Sequence, residues 1–293
     1  MTPTERKEWL ARRKIGSSDA PAIMGVSKFA PFTPYQWWEK KRSGEDTFVN
    51  SAMKRGNDYE PEARALFCKK MGVEVNPEEF QHPTFDFMTA NLDGIDTGRK
   101  TAVEIKCSNQ ETHEWVRKNK TVPEFYFPQT QHIVEVAKPD RMFYASYETV
   151  TKDLIIVEIE KDGDYIKKMV SEEAKMWECL KTGVPPELTE RDFICRENEM
   201  DWEFIAKEIV EIDRVLKSRK SEDDPLLKRK EELREALIML AGDKSSLGAG
   251  VRLTKSIGKG TVDYSKVPEL QGVDLSPYIS EPKSKWILTM VKA

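Results

Sequence analysis

Glu104-Ile105-Lys106 lies in an alternating run, residues 101–107, that predicts a β-strand. With a side-chain period of two, Glu104 and Lys106 project from one face while Val103, Ile105 and Cys107 pack on the other. A carboxylate and an ammonium in a cleft are costly to desolvate without a reason, and a metal with a phosphate substrate supplies one. Alone, E-x-K reads better as a cross-strand surface ion-pair pattern, because it recurs at Glu5-Arg6-Lys7, Glu39-Lys40-Lys41, Glu173-Ala174-Lys175 and Glu281-Pro282-Lys283. What distinguishes this copy is Asn91-Leu92-Asp93-Gly94 on the preceding strand, one hairpin away, which can bring Asp93 alongside Glu104. Hard carboxylate oxygens with no histidine or thiolate select Mg²⁺ or Mn²⁺ over zinc. An ion held there lowers the pKa of a water and polarises a phosphate, while Lys106 can orient or deprotonate the attacking water or neutralise developing charge. Histidine-based chemistry has little material, with only His82, His113 and His132 in the chain.

The elements that must position these groups follow from pattern. A turn at Asp96-Thr97-Gly98 separates strands expected over 87–95 and 101–107. A helix over 53–70 carries Tyr59, Ala63, Leu66 and Phe67 at helical spacing, with Gly72 beyond its end. A first helix is expected from Thr4, and Ile15-Gly16-Ser17-Ser18-Asp19-Ala20-Pro21 reads as a loop entering a second, with Ser18 as cap and Gly25 as terminator. A helix over about 128–137 precedes strands at 142–147 and 154–160, and Asp162 or Asp164 can cap a helix ending at Gly183. Beyond about residue 190 a charged helical stretch, interrupted at Asp224-Pro225, reads as a helical hairpin, followed by strands near 251–254 and 286–291. The expected domains are 1–190, carrying the chemistry, and 191–293, a helical and short-strand extension.

Composition limits the possibilities. The chain has 293 residues, 39% hydrophobic and 33% charged, with no apolar run near the ~20 residues of a membrane helix. The N-terminus shows no signal-peptide pattern, so a cytoplasmic address and no membrane partner are expected. Cys68, Cys107, Cys179 and Cys195 are far apart and form no CxxC pair, which argues for free thiols. A net charge of −4 excludes a broadly basic nucleic-acid binder, so any such contact must be focal.

Asp93 followed by Glu104-Ile105-Lys106 resembles the PD-(D/E)xK nuclease core, without the proline, since Leu92 precedes Asp93. Further blocks are similar to the lambda exonuclease / YqaJ-like viral recombinase family over about residues 5–180: Arg12-Arg13 with Ile15-Gly16-Ser17-Ser18-Asp19, Arg55-Gly56-Asn57-Asp58-Tyr59-Glu60, Glu104-Ile105-Lys106-Cys107, and Pro128-Gln129-Thr130-Gln131. The resemblance implies an α/β fold, a restriction-endonuclease-like central mixed sheet flanked by helices, with the helical-hairpin and small β extension added. It implies that Glu60, Asp93 and Glu104 hold Mg²⁺ (or Mn²⁺), two ions, with the Ile105 backbone carbonyl as a further ligand. Lys106 is then the catalytic lysine, and Gln129 and Gln131 line the cleft.

The same resemblance implies a DNA 5′-phosphate pocket made by Ser17 and Ser18 with Arg12 or Arg13. A helix start with free N–H groups, hydroxyl donors and an arginine fork suits phosphate oxygens. Tyr35, Trp37 and Trp38 could stack on unpaired bases, but aromatics at that spacing favour core. The implied activity is processive 5′ to 3′ degradation of double-stranded DNA ends, leaving 3′ single strands for an annealing protein in phage-type recombination. A homo-oligomeric ring, trimer or tetramer, in the cytoplasm of a bacterial host, phage or prophage encoded, accompanies it. The rivals are a structure- or sequence-dependent endonuclease using the same site and a non-catalytic DNA-binding assembly subunit.

Overall fold

The computed structural model describes residues 14–43, 51–218, 225–258 and 284–291. The helix expected from Thr4, together with Arg12 and Arg13, lies outside the described residues. The chain forms two compact units, residues 1–181 and 182–293. The division falls where the helix Gly163–Thr182 is ended by Gly183 (φ 71), upstream of the boundary expected at 190.

In the first unit the chain runs β1 (Ile15–Gly16), a 3₁₀ turn (Ser17–Asp19), α1 (Ala20–Ile23), α2 (Pro34–Ser43), α3 (Ser51–Met71), β2 (Asn76–Gln81), β3 (Met88–Ile95) and β4 (Thr101–Ser108). It continues through α4 (Gln110–Asn119), α5 (Phe127–Ala137), β5 (Arg141–Glu148), β6 (Asp153–Ile159) and α6 (Gly163–Thr182). The strands form one mixed sheet in the order β1-β3-β4-β5-β6, with β2 also paired to β3. β4 and β5 run parallel from Thr101↔Arg141 to Ser108↔Glu148, and the other long pairs are antiparallel. The parallel step needs a crossover, which α4 and α5 supply.

One face of the sheet is apolar. Ala63 and Phe67 of α3 pack there with Val75, Val103, Ile105, Phe143, Ala145, Tyr147 and Leu154, matching the expected inward set of β4. α5 lies against β3, β5 and the 3₁₀ turn. Trp37 and Trp38 are both 1% exposed, and Trp38 Nε1 donates to the Cys179 carbonyl at 3.1 Å, so these aromatics are core. Asp162, not Asp164, caps α6, its Oδ1 accepting the Tyr165 N–H at 2.9 Å. β2 and α4 escaped sequence reading. β2 is polar and almost wholly exposed, and α4 is marked only by Asn109, whose side chain accepts from the Thr112 N–H.

The second unit holds α7 (Met200–Ser218) and α8 (Pro225–Ala241), the expected hairpin. Ile209, Ile212, Leu233 and Leu237 form its core with Trp202, whose Nε1 donates to the Gly248 carbonyl at 3.1 Å. A four-stranded sheet completes it, in the order β10 (Ser284–Met290), β9 (Val251–Ile257), β8 (Ser246–Gly248), β7 (Ile194–Cys195). All four cysteines are free. Among the described residues no helix is long and apolar enough to cross a membrane.

Candidate active site

β3 and β4 pair only at Gly94↔Val103 and Ile95↔Ala102. Gly94 is required by this close approach, because a Cβ there would lie 2.7 Å from Val75 Cγ2 and 3.0 Å from Val103 Cγ1. Beyond it the strands splay, and the Asp93 side chain occupies the gap, its Oδ2 accepting the Ile105 N–H at 2.7 Å. A strand residue directs its N–H and C=O to the same edge, so the Ile105 carbonyl also faces this gap.

Glu104 is 1% exposed. Its Oε1 accepts from Lys106 Nζ at 2.5 Å and from Gln129 Nε2 at 2.6 Å, whereas Oε2 is buried with no protein partner. An orphaned carboxylate oxygen in the interior is expensive, and a cation beside it is the usual remedy. Burial, with the Glu104 and Glu60 carboxylates, pushes Asp93 up to about 8; Lys106 and the Ile105 hydrogen bond pull the other way. Asp93 is only half-buried by accessible surface, yet protein atoms surround it closely enough for desolvation to dominate. Burial raises Glu104 too, partly opposed by Lys106. Burial also disfavours the Lys106 ammonium, but Glu104 and Asp93 outweigh it and hold the group above its usual range.

The donor set therefore fits a hard divalent cation: two strained carboxylates, one with a free buried oxygen, and a backbone carbonyl at the same gap. Glu60 is near enough for its charge to raise both Asp93 and Glu104, but its Oε1 is ion-paired with Arg64. Among the described residues no three carboxylate, histidine or cysteine side chains already converge as a ligand set.

Arg64 was not singled out from the sequence. Its Nε donates to the Asp93 carbonyl at 2.6 Å while the other end of the guanidinium holds Glu60, so it ties α3 to β3. The signal was available as an i,i+4 Glu–Arg pair on an expected helix. Tyr126 is a second omission: its ring lies 5.4 Å below Lys106 Nζ.

Gln131 departs from expectation. It is fully buried away from the cleft, its Nε2 donating to the Glu160 carbonyl at 2.8 Å and its Oε1 accepting the Asp162 N–H at 2.9 Å. Two residues apart on a helix is about 200°, so Gln129 and Gln131 cannot serve one face. Gln131 instead fastens α5 to the turn before α6.

The serine block is also redrawn. Ser17 is buried and Ser18 exposed, and neither caps α1. The cap position is Asp19, and α1 has only four residues, too few for a substantial macrodipole. Asp19 accepts the Gly16 N–H at 2.9 Å and pairs with Lys41 Nζ at 2.8 Å, which puts a cation at the turn that sequence reading did not anticipate.

A mixed sheet whose splayed strand pair presents two carboxylates and a lysine is the PD-(D/E)xK nuclease fold, and its solved neighbours agree. The chain superposes on the alkaline exonuclease LHK-Exo of Laribacter hongkongensis with a TM-score of 0.51 and 26% identity, covering 60% of this chain and 93% of that one. The structure of LHK-Exo in complex with dAMP gives the same TM-score of 0.51 and 26% identity. Residues 8–140 match the model of the YqaJ-like viral recombinase domain family. The Bacillus subtilis (strain 168) protein YqaJ is 29% identical over 181 residues, 59% of this chain. The chain spans about half the length of that relative, 55%.

Proposed function

We propose that this chain is a Mg²⁺- or Mn²⁺-dependent deoxyribonuclease, acting as a processive 5′ to 3′ exonuclease on duplex ends and leaving 3′ single strands for an annealing protein. The observation that carries the reading is the buried, unpartnered Oε2 of Glu104 beside Asp93 and Lys106. The YqaJ-like match and the fold shared with an alkaline exonuclease support it.

Glu104, Asp93 and the Ile105 carbonyl would hold the divalent ion, with Glu60 joining by leaving Arg64. When bound, the metal would lower the pKa of a water and polarise the scissile phosphate, and a second ion would share this work. Flanked by carboxylates, Lys106 keeps its proton, so it donates: it orients the attacking water and offsets charge developing on the phosphate. Gln129 fixes the Glu104 carboxylate through Oε1, leaving Oε2 for the ion. Tyr126 stabilises the ammonium of Lys106 through its ring face.

The 5′-phosphate pocket belongs to the same reading. Ser18 offers an exposed hydroxyl, Lys41 a cation at the turn, and Arg12 or Arg13 the guanidinium fork. A homo-oligomeric ring of three or four subunits in the bacterial cytoplasm would supply the processivity.

The test is the end-polarity assay: duplexes labelled separately at each 5′ and 3′ terminus, and closed circular DNA, each incubated with Mg²⁺. Release of the 5′ label first, with the circle intact, is the expected result. Efficient cutting of the circle would convert the reading to an endonuclease of the same site, and absence of any hydrolysis would leave a DNA-binding subunit.

A further inference from the structure

Tyr35, Trp37 and Trp38 are core, but a different set of rings reaches solvent beside Lys106. Tyr144, paired with Glu104 across β4 and β5, is fully buried, and its ring centroid lies 5.8 Å from that of Tyr126. Tyr126 lies 4.5 Å from Phe125 and 6.4 Å from Phe29, and Phe29 meets Phe125 edge-on at 5.8 Å and 86°. The rings thus form a continuous series from the floor of the carboxylate site to the surface, ending at Phe29, which is 56% exposed. Lys28 places its Nζ 5.2 Å above the Phe125 ring at the same rim. The Phe29 turn is held by a side chain, Ser27 Oγ donating to the Phe29 carbonyl at 2.6 Å.

Phe29 is more than half in water on a fixed turn, edge-on to the half-buried Phe125 and with the Lys28 ammonium at the same rim, so an apolar ring face and a cation are offered together at the end of the series. We propose that Phe29, with Phe125 and Lys28, is a stacking subsite for an unpaired nucleobase at the DNA end presented to the Glu104–Lys106 site. A base has an apolar face wide enough to cover the exposed ring, and its phosphodiester brings the anion that Lys28 suits. A protein helix or a lipid would match the apolar ring but not its position at the end of a ring series leading to Lys106. The inference rests on the nuclease reading and specifies which residues grip the frayed end.

The full chain is titrated in EDTA with a short duplex carrying 2-aminopurine as an unpaired terminal base. Binding to the wild-type protein should quench the 2-aminopurine emission, as base–aromatic stacking does. Phe29→Ala should abolish the quench and weaken binding by about tenfold. Phe29→Trp should restore both, which a merely structural loss would not allow. Because Phe29 is exposed, its replacement leaves the core intact, and an unchanged far-UV spectrum is expected. An unchanged quench and dissociation constant in Phe29→Ala overturn the subsite, as does a wild-type protein that binds without quenching. Mg²⁺-dependent nucleotide release by the wild type is read in parallel. Release with no Phe29-dependent quench rejects the stacking subsite alone, whereas no release rejects the nuclease reading.

Discussion

Asp93 Oδ2 accepts the N–H of Ile105 at 2.7 Å, a side chain standing in for the strand partner that β3 no longer provides. The bond anchors Asp93 beside Glu104, against the burial and the Glu104 repulsion that together raise its pKa. Under the proposed metal-binding role, function and stability are therefore opposed at this residue.

Asp93→Asn is expected to abolish Mg²⁺-dependent cleavage while raising the melting temperature in EDTA at pH 8. The sign follows from the shift. The folded-state pKa of Asp93 lies above its unfolded value, so the native state binds the extra proton. Its contribution to stability is present at low pH and declines as pH rises from the ordinary carboxylate range towards about 8. Thermal scans across that window should show a shallower decline in the variant; equal slopes would sink the assignment. Added Mg²⁺ should raise the wild-type melting temperature and not that of the variant.

Lys106→Ala should lower turnover by about 100-fold or more while leaving the affinity for duplex DNA within a few-fold. Single-turnover hydrolysis and fluorescence anisotropy measure the two separately. Unchanged turnover would remove the lysine from the chemistry.

Arg64 touches both Glu60 and the Asp93 carbonyl, so it positions two carboxylates without meeting the substrate. Arg64→Ala is expected to raise the Mg²⁺ concentration for half-maximal activity by about tenfold or more, with a smaller effect at saturating Mg²⁺. A Mg²⁺ titration of the rate decides this; a uniform drop at all concentrations would point to a folding defect instead.

His132 Nδ1 meets Glu173 Oε1 at 2.8 Å and its Nε2 meets the Thr89 carbonyl at 2.9 Å, with His132 and Glu173 both fully buried. Burial disfavours the imidazolium, but Glu173 and the hydrogen bonds outweigh it and raise the His132 pKa. Removing one partner of a buried pair typically costs about 3–5 kcal/mol, and Glu173→Gln should fall near the lower end because an amide can still accept. A raised histidine contributes stability that is complete below about pH 6.5 and is lost as pH rises through the folded value. The difference between wild type and Glu173→Gln in urea should therefore be larger at pH 6 than at pH 9, and a pH-independent difference would refute a charged His132.

The proposed 5′-phosphate pocket predicts a ratio. Ser18→Ala combined with Arg13→Ala should reduce the preference for phosphorylated over hydroxyl ends, and Lys41→Ala should do so by leaving Asp19 uncompensated at the turn. Initial rates on the two kinds of end test it, and an unaltered ratio in both variants would dismiss the pocket.

Local order was legible in the residues themselves. The alternation in β4 separated Val103 and Ile105 from Glu104 and Lys106, and the helical spacing of Ala63 and Phe67 located α3, because one buried face imposes its period on the chain. The hairpin also placed Asp93 near Glu104, since a short turn leaves little choice of register. What only the tertiary structure decided depended on which neighbour each polar group found. Gln131 and Gln129 share a motif, yet helical rotation sends one to a backbone anchor and the other to Glu104. Glu60 is claimed by Arg64, Asp19 by Lys41, and the exposed ring of the series that starts at Tyr144 is Phe29, whereas Trp37 and Trp38 are buried. Periodicity along the chain determines which way a side chain points. The free oxygen of Glu104 exists only because β4, β5 and α5 close around it from distant parts of the sequence.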